Sequence, residues 1–192
     1  VVGGLVPPYG ASLRIYGKSS LPILKELGGK SIDVVDFHWF GLAGEWKEMP
    51  AAMDRARKDL EACGFKEIPI WLTEMGTHSG TPEASRAGRM PEQSEREQAS
   101  EMVRRHATLL GAGVRKVFWA WGMVEGFNTP DDNDFFDNTG FVYDGLGPGD
   151  PGRGVKKIVY WAYRQMTQLL QYWDGSPPEK VEAGSGAVAW RF

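Results

Sequence analysis

The chain alternates between short apolar runs and segments of helical periodicity, and this alternation is its strongest constraint on fold. Four runs are rich in β-branched and aromatic residues and too short for helices: 1–6, 32–40, 68–76 and 114–121. Four segments carry apolar residues at helical spacing: 22–27, 50–62, 92–110 and 155–172. Strands that alternate with helices indicate a parallel sheet with right-handed crossovers. The sequence therefore predicts an α/β fold of four βα units, with one further short strand within 184–192.

The strand over 68–76 ends in a single carboxylate, Glu74, which is followed by Gly76 and a polar loop. The carboxyl ends of parallel strands are where α/β sheets and barrels bind their ligands. A carboxylate at this place can therefore be reactive. It can equally be a solvated strand-end Glu or one paired with an Arg, because structural ion pairs resemble functional ones.

Composition excludes several classes of function. The 192 residues suit one soluble globular domain, and no apolar run approaches the ~20 residues of a membrane helix. A net charge of −3 without a basic stripe argues against nucleic acid as a partner. The only cysteine, Cys63, excludes an internal disulfide. The acidic run at 131–134 lacks the Gly and terminal Glu of an EF-hand loop, and no P-loop, zinc or nucleotide motif is present, so we predict no metal and no cofactor.

Four strand ends, taken in order, resemble those of clan A glycoside hydrolases, the retaining (β/α)8-barrel enzymes. The matching segments, for barrel strands five to eight, are Val1-Val2-Gly3-Gly4, Asp36-Phe37-His38-Trp39, Trp71-Leu72-Thr73-Glu74-Met75-Gly76 and Val117-Phe118-Trp119-Ala120-Trp121. The resemblance is closest to the β-xylosidase-like family 39, followed by the endoglucanase-like family 5. It implies half of a TIM barrel over residues 1–173, and over 174–192 the start of a β-rich appendage.

The resemblance implies that Glu74 is the nucleophile of a retaining glycosidase, but it identifies no acid/base. Retaining hydrolysis needs two carboxyl groups about 5–5.5 Å apart. The family's acid/base Glu follows an Asn, and no Asn-Glu pair exists in this chain. Glu45 and Glu125 follow the second and fourth strands and could approach from the same rim, or they could be solvated loop acids.

Further candidates for sugar binding leave the neighbouring strands at the same rim. His38 could bind a sugar hydroxyl or orient Glu74, or it could be a core histidine satisfied by Asp36. The family pattern at this strand is His-x-Tyr, in which the Tyr bonds the nucleophile, whereas this chain has Phe40 and lacks that hydroxyl. Three tryptophans are candidates for walls of the sugar site or for packing residues of the barrel: Trp39, Trp119 and Trp121.

Four βα units cannot close an eight-stranded barrel, which takes at least ~200 residues. An open half would leave two unpaired edges and an apolar inner face. We therefore expect a homodimer or pairing with a separate N-terminal half. The predicted function is a glycoside hydrolase acting on β-linked sugars, or the C-terminal half of one. The alternative is a non-catalytic carbohydrate-binding or structural remnant that has lost the acid.

Overall fold

The computed structural model describes residues 2–84, 88–120, 122–126, 133–147, 149–184 and 188–192. The strands in chain order are β1 (Val2–Leu5), β2 (Val35–Phe40), β3 (Ile70–Gly76), β4 (Glu83–Ala84), β5 (Gly88–Arg89), β6 (Lys116–Trp119), β7 (Glu179–Val181) and β8 (Ala189–Arg191). The helices are α1 (Leu13–Ile15), α2 (Leu21–Leu27), α3 (Met49–Ala62), α4 (Glu95–Gly111) and α5 (Ile158–Leu170). Single 3-10 or π turns occur at Gly10–Ser12, Tyr16–Ser20, Glu45–Glu48 and Asp137–Thr139.

The main sheet has four strands in the order β1-β2-β3-β6, and every neighbouring pair is parallel. The prediction of an α/β fold with a parallel sheet is confirmed. Two short antiparallel pairs lie outside this sheet, β4 with β5 and β7 with β8. The C-terminal segment thus contributes two paired strands where the sequence predicted one, because 179–181 pairs with 189–191.

One face of the sheet packs on the helices and holds the core. Alternation along β2 sends Val35, Phe37 and Trp39 to this face, where each is at most 1% exposed. The same face receives apolar side chains from β3 and from three helices, namely Ile70, Leu72, Met75, Leu24, Met49, Met53, Ala56, Leu60 and Leu109. This layer fixes which side chains of each strand must point the other way.

The opposite face carries the polar and aromatic side chains of the same strands. Asp36, His38 and Phe40 alternate with the buried set on β2, and Phe118 of β6 is 48% exposed. The Lys116 ammonium lies 4.4 Å from the centre of the Trp71 ring. Parallel sheets in proteins are normally covered on both faces. Among the described residues, this face therefore retains aromatic surface that a parallel sheet would ordinarily bury.

Helix α5 is less buried than its apolar stripe predicts. It packs with α4 through Val159, while Ile158 and Leu169 are 46% and 74% exposed and Val155, just before the helix, is 41% exposed. All three belong to the apolar stripe of 155–172, whose helical spacing predicts burial, and for these three residues that prediction is wrong. The physical reason is that α4 covers only one side of the stripe and leaves a second side open, as an apolar groove of about 460 Å³ beside Val103, Met166 and Phe192.

Candidate functional site

A β-bulge in β3 brings two consecutive side chains to one face of the sheet. Asp36 is the Cα partner of Trp71, whereas His38 is the partner of Glu74, so one residue of β2 faces two of β3. The register with β6 also shifts in this part of β3, between Leu72 and Met75. Bulges of this kind re-aim side chains and occur next to active sites. Here the bulge lets both Thr73 and Glu74 reach side chains of β2, which simple alternation would forbid.

His38 lies between two carboxylates. Its Nδ1 is 3.0 Å from Oε2 of Glu74, and its Nε2 is 3.2 Å from Oδ2 of Asp36. The Thr73 hydroxyl is also 3.2 Å from Nε2. The side chains of His38 and Glu74 are 29% and 31% exposed, so both can meet a ligand while their orientation is fixed from behind.

Asp36 anchors this arrangement from a buried position. It is 2% exposed, and its carboxylate accepts hydrogen bonds from the Thr73 amide at 2.8 Å, the Thr73 hydroxyl at 2.7 Å and the Gly4 amide at 3.1 Å. A side chain at Gly3 would begin 3.2 Å from Oδ2 of Asp36, so the close approach of β1 suits a glycine there. From the sequence, Asp36 was expected only as a partner for His38. Its spacing of two residues from His38 was the signal that both share a face.

A buried arginine hydrogen-bonds to backbone carbonyls at the end of β3 and just beyond β2, the two strands that carry the site. Arg105 of α4 is 0% exposed and donates to the carbonyl oxygens of Gly76 at 3.4 Å and Leu42 at 2.8 Å. Its charge is balanced by Glu101, 3.2 Å away and 2% exposed. Burial lowers the pKa of Arg105, and Glu101 opposes that change. Arg105 was not among the residues predicted from the sequence, where the spacing of Glu101 and Arg105 by one helical turn is the only feature that indicates this pair.

Trp39 and Trp119 do not share a face with Glu74. Trp39 is 1% exposed on the helix side of the sheet, where its ring lies 4.9 Å from that of Tyr9. Alternation along β2 separates it from His38, although both leave the strand at the same rim. Trp119 also lies on the helix side and donates its indole N–H to the Thr139 carbonyl at 2.9 Å.

His106 is a packed helix histidine. It is 4% exposed, its Nδ1 is 2.8 Å from the Met102 carbonyl, and its ring stacks on that of Trp119. Burial lowers its pKa to about 4, so it is neutral at ordinary pH. The third candidate tryptophan, Trp121, lies outside the described residues.

Glu45 is on the helix side of the rim. Its Oε1 accepts the Leu42 amide at 3.0 Å. It is also close enough to Tyr9 to add to the effect of burial in raising the pKa of that phenol. Tyr9 packs on Trp39, which points away from Glu74. Glu45 therefore belongs to the turn after β2 and to the environment of Tyr9.

Glu125 is a buried member of an ion pair, which corrects the view of it as a solvated loop acid. It is 7% exposed and binds the ammonium of Lys157, which is 0% exposed. Burial raises its pKa to about 7, with Lys157 acting in the opposite direction. The loop is held inward because the Glu125 amide donates to the Val142 carbonyl at 2.8 Å. Its carboxylate is thus already engaged by Lys157.

The described residues carry neither a cluster of metal ligands nor a membrane-spanning helix. That part of the chain contains no group of three or more His, Cys, Asp or Glu side chains able to hold a metal ion. Two members of the acidic run, Asp131 and Asp132, lie outside it. None of the helices in the described ranges is both long and apolar enough to cross a bilayer.

The fold is similar to that of glycoside hydrolases of known structure. A glucosidase from Croceicoccus marinus matches with a TM-score of 0.58 at 16% identity, over 87% of this chain and 31% of that one. A monomeric β-xylosidase from Caulobacter crescentus CB15 matches with a TM-score of 0.52 at 20% identity, over 77% of this chain and 30% of that one. The chain thus spans about a third of these neighbours or less, and it has a glycosidase-related fold. No protein-family model and no curated protein matches the sequence.

Proposed function

We propose that this chain is the C-terminal half of a retaining (β/α)8 glycoside hydrolase similar to families 39 and 5, with Glu74 as its nucleophile toward β-linked sugars. The observation that carries the proposal is the bulge that turns Glu74, partly exposed, toward His38 at the carboxyl end of a parallel strand. The glycosidase-related fold supports it. Four parallel βα units in sequential order are half of what a (β/α)8 barrel requires.

The proposed chemistry uses Glu74 in two steps. In the first, a Glu74 oxygen attacks the anomeric carbon, the bond to the leaving oxygen breaks, and an acid delivers a proton to that oxygen. In the second, water attacks the same carbon, gives a proton to the resulting base and releases Glu74. His38 orients Glu74 through Nδ1, while Asp36 and Thr73 hold the imidazole ring. The proton donor would come from the other half of the barrel.

The uncovered face of the sheet supports the pairing. Trp71 and Phe118 lie on the face opposite the helices, and Phe118 is 48% exposed. We propose that a second copy or a separate N-terminal half covers this face, with the aromatic surface inside the joint barrel. Light scattering after size exclusion tests this. A stable monomer that binds no hydrophobic dye would contradict the proposal.

Covalent trapping tests the nucleophile. A 2-deoxy-2-fluoro-β-xyloside with a dinitrophenyl leaving group needs little proton donation, so it can react even where the acid is missing. We expect the peptide that contains Glu74 to gain the mass of one fluoroxylosyl group. Glu74→Gln is expected to abolish labelling, while Glu45→Gln, on the helix side of the rim, should keep it. Labelling of any other residue, with Glu74 unmodified, would refute the assignment.

A non-catalytic carbohydrate-binding or structural remnant is the second candidate. The positions of the two loop acids favour it. The carboxylate of Glu45 accepts a hydrogen bond from the Leu42 amide, and that of Glu125 forms an ion pair with Lys157. Neither is free to act as the second carboxyl group. The trapping experiment separates the two candidates, since a remnant would bind sugars and leave Glu74 unlabelled.

A further inference from the structure

An aromatic pocket lies beside Glu74 on the same face of the sheet. It is a cavity of about 330 Å³ whose walls are Phe40, Gly41, Met90, Phe135 and Phe136, with Glu83 and Asp134 also in its lining. Phe40 is two residues beyond His38 on β2, which is roughly 7 Å along the strand. Because His38 is the Cα partner of Glu74 and Phe40 that of Gly76, the pocket begins two residues beyond Glu74 in the register of the two strands.

The walls of the pocket are fixed by contacts among themselves. The three rings meet edge to face, with centres 5.0 Å apart for Phe40 and Phe136, 5.4 Å for Phe135 and Phe136, and 5.9 Å for Phe40 and Phe135. The Phe40 ring lies over Gly76, where a Cβ would come within 3.4 Å of it. On the far side, the Met90 amide donates to the Pro82 carbonyl at 2.8 Å. The pocket is therefore largely formed before a ligand arrives.

The lining defines what kind of ligand fits. Half-buried phenylalanine rings and a methionine offer apolar contact to a flat ring, and the volume suits a group of one or two fused rings. The carboxylates of Glu83 and Asp134 accept hydrogen bonds and repel anions. A neutral aryl group, including one with a phenolic hydroxyl, satisfies both conditions, whereas an aryl carboxylate does not.

We propose that this pocket binds the aryl aglycone of a β-glycoside whose sugar ring faces Glu74. The proposal rests on the proposed function for the orientation of the sugar, and it adds the substrate class, namely aryl glycosides. The position occupied by Phe40 is where the family pattern has a tyrosine, so this chain has apolar contact area where that hydroxyl would be.

Paired ligands test the pocket without requiring turnover. We expect 2-naphthyl β-xyloside to bind about tenfold more tightly than methyl β-xyloside, from the contacts of one aromatic ring. Phe135→Ala should remove most of that advantage. The matched control is Phe192→Ala, which opens the separate apolar groove beside α5 and should leave the advantage unchanged. Circular dichroism of each variant shows whether it is folded.

Methyl-labelled methionine locates the bound ring. The naphthyl ligand is expected to shift the NMR signal of the Met90 methyl and not that of Met166, which lines the other groove. Equal affinity of the two xylosides, or a shift at Met166 alone, would overturn the pocket assignment. The two proposals fail separately: Glu74→Gln should keep the naphthyl preference, so an unlabelled Glu74 together with a preserved preference would refute only the nucleophile.

Discussion

Replacing Lys157 with methionine should destabilise the protein in a way that grows with pH. Lys157 is 0% exposed and its only acidic partner in an ion pair within the described residues is Glu125, 7% exposed. Removing one member of a buried pair leaves the other charge without compensation, which costs about 3–5 kcal/mol. The pKa of Glu125 gives a second value for the free-energy cost of a charged carboxylate at this place. Its rise from 4.5 to about 7 despite Lys157 corresponds to roughly 3 kcal/mol for ionising this carboxyl in the fold.

The sign of the pH dependence follows from the direction of that pKa change. The folded protein holds the Glu125 proton more tightly than the unfolded chain does, so this group stabilises the fold below about pH 4.5. That contribution is lost as pH rises through about 7. In Lys157→Met the opposing charge is gone and the pKa of Glu125 rises further. The variant should therefore lose about 3–5 kcal/mol at pH 8 and clearly less at pH 5, as measured by urea unfolding at both pH values.

Two further variants separate the effect of the buried ion pair from other effects of losing a lysine. Lys156→Met removes the neighbouring exposed lysine, whose ammonium lies over the rings of Tyr160 and Trp161, and should change the free energy of unfolding by less than about 1 kcal/mol. The double variant Lys157→Met, Glu125→Leu removes both charges and should recover most of the loss. A loss below about 1 kcal/mol at pH 8, or one that is equal at pH 5 and pH 8, would show that Glu125 is solvated. The reasoning from burial would then be refuted.

Two other predictions concern α4, which supports the site. Arg105→Met should lower the free energy of unfolding in urea by about 3–5 kcal/mol, because it leaves Glu101 buried without a counter-charge. A second change, Glu101→Leu, should restore most of this loss. No recovery would mean that the loss comes from the hydrogen bonds of Arg105 to the backbone carbonyls. Ser94→Ala should cost about 1 kcal/mol by removing a capping box in which Ser94 and Glu97 bond each other's amides. Ser100→Ala, inside the same helix, should be neutral or slightly stabilising, and equal losses in both serine variants would contradict the capping account.

The order of strands and helices could be predicted from the sequence because it depends on local periodicity. The parallel sheet followed from that order alone. Burial of α5 could not be predicted in the same way, because Leu169 belongs to an apolar stripe whether or not a neighbour covers it. A stripe indicates which side of a helix seeks contact, and only the tertiary arrangement decides how much contact it finds.

The candidate site was predictable in part for the same reason. Glu74 and His38 stand at strand ends, which the sequence identifies. Trp39 and Trp119 were candidates for walls of the sugar site or for packing residues because both stand near strand ends, and alternation sends both rings to the helix side. The buried pair of Glu125 and Lys157 joins residues 32 positions apart, and no local pattern connects them.

The bulge gives Glu74 a polar neighbour on β2, His38, which lies two residues before Phe40. Regular alternation would place Thr73, not Glu74, opposite His38. The extra residue in β3 moves Glu74 into that register and leaves Thr73 to bind Asp36. His38 then supplies the hydrogen bond to Glu74 directly, at 3.0 Å, and Asp36 holds the ring from behind. Phe40, which has no polar group in its side chain, lines the neighbouring aromatic pocket. A change in pairing register thus couples the orientation of the proposed nucleophile to the apolar character of the neighbouring site.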